Sequence, residues 1–91
     1  MQKHIKVYID FFNPHDVDWI PCEICGNKAV DIHHIHRRSE FGKKFKSEQD
    51  KIENLIALCR KCHELAHSNV FTKEYLKAVH DKKIKFTLNT K

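Results

Sequence analysis

The stretch Glu53-Asn54-Leu55-Ile56-Ala57-Leu58-Cys59-Arg60-Lys61-Cys62-His63-Glu64-Leu65-Ala66-His67 decides the reading of this chain. Ile52 to Leu58 is a short, mostly apolar run, expected as an extended segment or a tight turn packed on the core. From Arg60 to about Asn69 the spacing is helical, with Cys62, Leu65 and Ala66 facing inward. His63 and His67 are four apart, so on that helix they stand one above the other on one face. Such a pair chelates a single metal well, because imidazole suits zinc, nickel and other transition ions. His63 directly follows Cys62, so a metal held by cysteines would fix the start of the helix that carries both histidines.

The chain has 91 residues, one domain's worth, and a core of that size is marginal without a disulfide framework or a structural metal. Its four cysteines form two Cys-x-x-Cys pairs, Cys22 with Cys25 and Cys59 with Cys62, separated by a long insert. That is the usual spacing of a four-thiolate zinc site, with disulfides between the pairs as the alternative. Gly26-Asn27 supplies the tight turn a zinc knuckle needs. The N-terminus shows no apolar run bounded by a cleavage site, and the longest apolar segment, Leu55 to Cys59, is far too short to cross a bilayer. The expectation is a soluble, cytoplasmic protein with reduced thiols and no membrane partner; a phage or mobile element is a compatible source.

The formal charge of +5 and a pI near 9.1 favour a polyanionic partner, nucleic acid being the commonest. Arg37, Arg38, Lys43, Lys44 and Lys46 crowd one stretch opposed only by Glu40, with Phe41, Gly42 and Phe45 among them. Ser39 to Asp50 is expected as an exposed basic loop able to lie along phosphates. A solvated surface loop would look the same by charge alone.

Elsewhere, Ile5, Val7 and Ile9 alternate, which predicts a first strand over Lys3 to Phe12, ended by Asn13-Pro14. Lys28 to His36 is predicted as a strand carrying Val30, Ile32 and Ile35. Thr72 is the expected cap of a last helix running to about Asp81 and burying Tyr75, Leu76 and Val79. Ile84, Phe86 and Leu88 alternate as a closing strand would.

Five of the eight histidines fall in two tight groups, His33, His34 and His36, then His63 and His67, which points to metal or acid–base chemistry. On a regular strand His33 and His34 point to opposite faces, so both serve one site only at a bulge or a strand end. Asn54 is a turn residue or cap on its face. In a functional reading its amide braces the loop that carries a base, or helps to hold a metal.

Cys22 and Cys25, then Asp31-Ile32-His33-His34-Ile35, then Glu53 to His63 together resemble the HNH endonuclease family. The resemblance covers Pro21 to His67, about half the chain, in the family's order and with near-typical gaps. It implies a small α+β fold: a ββα-metal (His-Me finger) core of a hairpin and a helix gripping one divalent ion. A structural zinc site of four cysteines stabilises that core, and the expected N-terminal strand and C-terminal helix flank it. By position, His34 matches the general base, and His33 the place before it that binds metal. Asn54 matches the middle asparagine, and His63 and His67 match further ligands. The implied catalytic set is therefore His34, Asn54 and His33, with His33, His63 and His67 on the catalytic ion and Cys22, Cys25, Cys59 and Cys62 on structural zinc. Arg37, Arg38, Lys43, Lys44 and Lys46 are the candidate nucleic-acid contacts. Histidine in place of aspartate at position 33 leans the ion away from magnesium and towards zinc, nickel or manganese. Asp31 is a candidate partner for a histidine and His36 a candidate phosphate contact, while His4, His15 and His80 are expected at the surface.

The expectation is a metal-dependent nuclease acting on DNA, with a single domain over residues 1–91 and a motif core at 21–67. It would act as a monomer or weak homodimer, with a partner protein as a further source of specificity. A non-catalytic zinc module binding DNA through the basic loop explains the cysteines and the charge but gives no chemical need for His34, Asn54, His63 and His67 together. A zinc-bridged protein adaptor explains the cysteines alone.

Overall fold

In a computed structural model, residues 2–14, 16–42 and 48–90 are described. Their order is helix α1 (Lys3–Phe12), strand β1 (Asp31–His34), a one-turn helix α2 (Arg38–Phe41), a 3-10 turn (Ile52–Asn54), strand β2 (Leu55–Leu58), helix α3 (Arg60–His67) and helix α4 (Lys73–Thr90). β1 and β2 pair antiparallel, with Asp31 opposite Leu58, Ile32 opposite Ala57, His33 opposite Ile56 and His34 opposite Leu55. Backbone bonds from Val30 N to Leu58 O and from Ile35 N to Asn54 O extend the pairing at both ends.

All four residues of β2 are fully buried, because the hairpin is covered on both faces. Leu55 and Ala57 pack with Ile32 and Tyr8 against α1; Ile56 and Leu58 pack with Ile35, Cys62, Ala66 and Leu76 against α3 and α4. A continuous apolar strand rather than an alternating one is what two covered faces require. The two-residue periodicity of side chains also sorts β1: Ile32 and His34 belong to the α1 side, and Asp31 and His33 to the α3 side.

Two expected strands are helices. Lys3 to Phe12 forms α1, although Ile, Val, Tyr and Phe favour strands, because its buried residues, His4 and Tyr8, lie four apart on the face that meets the hairpin. The signal taken for a strand end is a helix C-terminus: Asn13 is left-handed, with φ 47°, and its N–H bonds Ile9 O at 2.7 Å. The other is Ile84 to Leu88, which continues α4 to Thr90 with Phe86 and Leu88 exposed, 69% and 57%. No glycine or proline interrupts Lys73 to Thr90, and among the described residues no third strand is present to pair with one there. Thr72 caps α4, its Oγ1 accepting from Tyr75 N at 3.1 Å; Leu76 is buried, but Tyr75 faces outward against Phe71. The strand expected over Lys28 to His36 is confined to Asp31–His34, preceded by an isolated bridge between Pro21 and Lys28, and the loop expected from Ser39 contains most of α2.

His4 and His80 are buried, against the expectation for both; His15 lies outside the described residues. His80 sits four residues after Leu76 and so shares its inward face. Its Nδ1 is 2.9 Å from Oε1 of Glu23 and its Nε2 meets the carbonyl of Ile52. Glu23 also accepts from Tyr8 Oη at 2.7 Å and from Ala57 N at 3.2 Å. This fully buried pair joins α1, the first cysteine loop, β2 and α4. The Ile52 carbonyl only accepts, so His80 donates to it through Nε2, and Nδ1 shares a hydrogen bond with the Glu23 carboxyl.

Replacing His80 by alanine leaves the buried Glu23 carboxyl without that partner and is expected to cost about 3 kcal/mol or more. Phe86→Ala, at an exposed position, should stay within about 0.5 kcal/mol. Urea unfolding at constant zinc measures both.

Candidate metal centres and active-site cleft

The loop Cys22 to Cys25 and the start of α3 bring the four cysteines together. Gly26, with φ 82°, turns the chain after Cys25, and Gly26 N and Cys22 N bond Cys22 O and Asn27 O. Cys59 is the N-cap of α3, its Sγ accepting from Cys62 N at 3.5 Å. All four sulfur atoms lie within 4.8 Å of one another, and those of Cys25 and Cys59 are 3.5 Å apart. Thiolates about 2.3 Å from one tetrahedral ion stand about 3.8 Å apart, so the donor set fits zinc. Electrostatics agree. Burial would push the Cys22 thiol up, but hydrogen bonds from the backbone of Cys25, Cys59 and Ile24 bring it down to about 7. Burial and bonding to the other sulfurs push Cys62 well above its ordinary range. One thiolate forms readily and a further one is opposed, so a dication is what lets the set ionise fully.

A second cluster forms where β1 faces α3. Nitrogen atoms of His33, His63 and His67 also lie within 4.8 Å of one another. The Nε2 atoms of His63 and His67 are 3.0 Å apart, and His33 meets both rings edge-on. Nitrogens about 2.0–2.1 Å from a shared ion stand about 3.0–3.4 Å apart, so these three imidazoles fit a transition metal. Burial first, then the neighbouring His63 and His67, pulls His33 from 6.5 to about 4, which keeps it neutral and ligand-competent at pH 7. Asp31 Oδ2 is 3.5 Å from His63 Nε2.

His34 points the other way. Its Nε2 lies 2.9 Å from Asp50 Oδ1, and its ring packs 4.7 Å from that of buried His4 on α1. Burial would raise the Asp50 carboxyl, but hydrogen bonds from His34 and Gln49 outweigh it and hold the group below the usual range. No bulge interrupts the pairing of β1. His33 and His34 nonetheless line one cleft of about 470 Å³, together with Gln2, His4, Arg37, His63 and His67. Four consecutive residues, Asp31 to His34, border it, so it runs along the strand edge that β2 leaves open. There, side chains from both faces reach the same space.

Asn54 is buried and holds the two chain segments between the strands. Its Oδ1 accepts from His36 N at 2.7 Å, and its Nδ2 donates to His36 O at 3.1 Å and Gln49 O at 2.8 Å. It acts as a brace behind His34, away from the three-histidine cluster. Of the basic stretch, Arg37 lines the cleft; Arg38 begins α2, its side chain not described, and Lys43, Lys44 and Lys46 lie outside the described residues. His36 is exposed beside Glu40, 3.6 Å away. Glu40 is drawn by Lys73 first, then by the Arg37 backbone, to about 2. Sequence reading missed His4 and Asp50. His4 is four residues before Tyr8, so a helical reading of α1 would have turned it inward, but nothing local to Asp50 marks its pairing with His34.

Cys62→Ala should cost one zinc per chain by atomic absorption and the helical CD of α3. His63→Ala with His67→Ala should keep that zinc and weaken nickel binding by more than about tenfold in calorimetric titration. Because the folded value of His33 lies below 6.5, the unfolded chain takes up the extra proton first, and stability falls as pH drops from 6.5 to about 4. His33→Gln should flatten that slope relative to wild type in urea midpoints.

Comparison with known proteins agrees with this arrangement. Residues 22–69, more than half of the chain, match the family model described as HNH endonuclease. A mitochondrial DNA mismatch repair protein, a mutS homolog from Sarcophyton glaucum, is 40% identical over 48 residues, 53% of this chain. The chain spans only 5% of the length of that relative. No solved structure matches this chain. Among the described residues no helix is long and apolar enough to cross a membrane. With its cysteine pairs, its hairpin and its histidine helix in the family's order, this chain belongs to the HNH endonuclease family.

Proposed function

We propose that the chain is a metal-dependent endonuclease that hydrolyses DNA phosphodiester bonds, with His34 as general base. The observation that carries this reading is the division of labour along β1: His33 joins His63 and His67 on one face, His34 stands on the other, and both border one cleft. A phosphodiester is anionic and resists attack, so hydrolysis needs charge neutralisation and an activated water. His33, His63 and His67 would hold the divalent ion. When bound, that ion supplies charge stabilisation to the phosphoryl group and the departing 3′ oxygen. His34 accepts the proton of the attacking water; the new bond is phosphorus to water oxygen, and the bond to the 3′ oxygen breaks. The departing 3′ oxygen takes a proton from solvent water, so the products are a 5′-phosphate and a 3′-hydroxyl. Asn54 keeps the segment after His34 in place, and Arg37 on the cleft rim is positioned for backbone phosphate.

Three imidazoles favour nickel, zinc or manganese over magnesium. DNA as the polymer is supported by the net charge of +5 and by the mismatch-repair relative, of whose length the chain spans 5%. One such site cuts one strand, so a double-strand break takes two copies or two visits, and a dimer or partner protein would supply sequence preference.

The test is nicking of supercoiled plasmid in magnesium, manganese, nickel or zinc after chelation, beside His34→Ala with cysteine-bound zinc quantified. The variant should stay folded and zinc-loaded while the rate falls about 10²–10⁴-fold. Retardation of DNA in a gel with no nicking under any metal would instead make the chain a zinc-stabilised binding module.

A further inference from the structure

The reaction just described uses His34 but leaves unexplained the groups behind it. His34 is enclosed on the α1 side by His4 and Asp50, and all three are largely removed from solvent. The Nε2···Oδ1 distance of 2.9 Å is that of a hydrogen bond between an imidazole N–H and a carboxylate. An ionised carboxylate only accepts, so the proton of that bond sits on Nε2 and leaves Nδ1 with its lone pair.

We propose that Asp50 is a positioning residue for His34: its carboxylate fixes the Nε2-protonated tautomer and presents Nδ1 as the nitrogen that takes the proton from water. The proposal rests on the reading of His34 as the base. When Nδ1 gains that proton, the imidazolium lies against a carboxylate that stays ionised, in a site where the neighbouring His4 ring limits water and so strengthens the pairing.

The backbone shows how Asp50 is delivered. Asp50 lies 16 positions beyond His34 and follows Gln49, whose carbonyl the Asn54 amide ties to both backbone groups of His36, two residues after His34. The asparagine thus clamps the segment bearing the carboxylate to the segment bearing the imidazole.

The three donor atoms of His4, His34 and Asp50 lie within 4.8 Å, near enough for an ion. An ion bound at Nε2 would shift the proton to Nδ1 and remove the acceptor, so the hydrogen-bonded form is the one compatible with a base.

The experiment compares wild type, Asp50→Asn, Asp50→Glu and His34→Ala, each zinc-loaded. It measures kcat and KM on an oligonucleotide duplex, bound metal per chain, and the His34 tautomer by side-chain ¹⁵N NMR. Asp50→Asn is isosteric, but its amide can turn its NH₂ towards the ring and select the other tautomer. It should lower kcat on the order of 10- to 100-fold with KM little changed. The wild type should show His34 protonated at Nε2, Asp50→Asn should lose that signature, and Asp50→Glu should restore both signal and rate in large part. Unchanged kcat in Asp50→Asn beside an inactive His34→Ala overturns the proposal, as does lost kcat with an unchanged tautomer. An additional bound ion present in wild type and lost in Asp50→Asn overturns it in favour of a metal site. Full activity in His34→Ala removes the base reading itself, a failure told apart because the tautomer still follows residue 50.

Discussion

The pairing of β1 with β2 is the constraint on which the rest depends. β2 is apolar through all four residues and is covered by α1 on one side and by α3 and α4 on the other. Once it is fixed in that sandwich, the antiparallel register sets every side chain of β1. A slip of one residue would move His33 to the α1 side and His34 to the α3 side, exchanging their surroundings. Burial of Ile32 beside Tyr8, Leu55 and Ala57 opposes that slip, since Ile32 would turn away from its apolar partners.

Two polar clusters join the layers around this hairpin. The four cysteines bring the loop before β1 against the start of α3, the helix bearing His63 and His67, and zinc bound there would tie the two. The Glu23 carboxylate lies within the same cysteine loop and is matched by His80, Tyr8 and Ala57, which anchors that loop to α1, β2 and α4. A chain of this size has little apolar core, and these fastenings supply the order that packing alone would leave marginal.

The cleft gains its chemistry from an edge. On the face of a sheet, neighbouring side chains of a strand are kept apart by the backbone; beside the open edge of β1 they share one space. Three clustered imidazoles on one side and a hydrogen-bonded imidazole on the other therefore border the same space. Near the rim, Glu40 is occupied by Lys73 and the Arg37 backbone, so its charge is largely offset beside the cleft.

Much of the centre was legible in the sequence because its signals are local. The Cys-x-x-Cys pairs, the His63–His67 spacing on a helix and the apolar run of β2 each follow from short-range geometry, as does the opposed direction of His33 and His34. The ends of the chain were misjudged because alternation at Ile5, Val7 and Ile9, and again at Ile84, Phe86 and Leu88, is ambiguous without knowing what lies opposite. In α1 the deciding face includes His4, whose polar character hid the i,i+4 pattern with Tyr8. What the sequence by itself determined was the spacing of the cysteine pairs, the His63–His67 helix face and the apolar run of β2. Only the tertiary structure decided that His80 pairs with a buried Glu23, that Asp50 backs His34 and that two faces of a strand open on one cleft. The first two pairings join residues 57 and 16 positions apart, and only packing of the layers brings them within bonding distance.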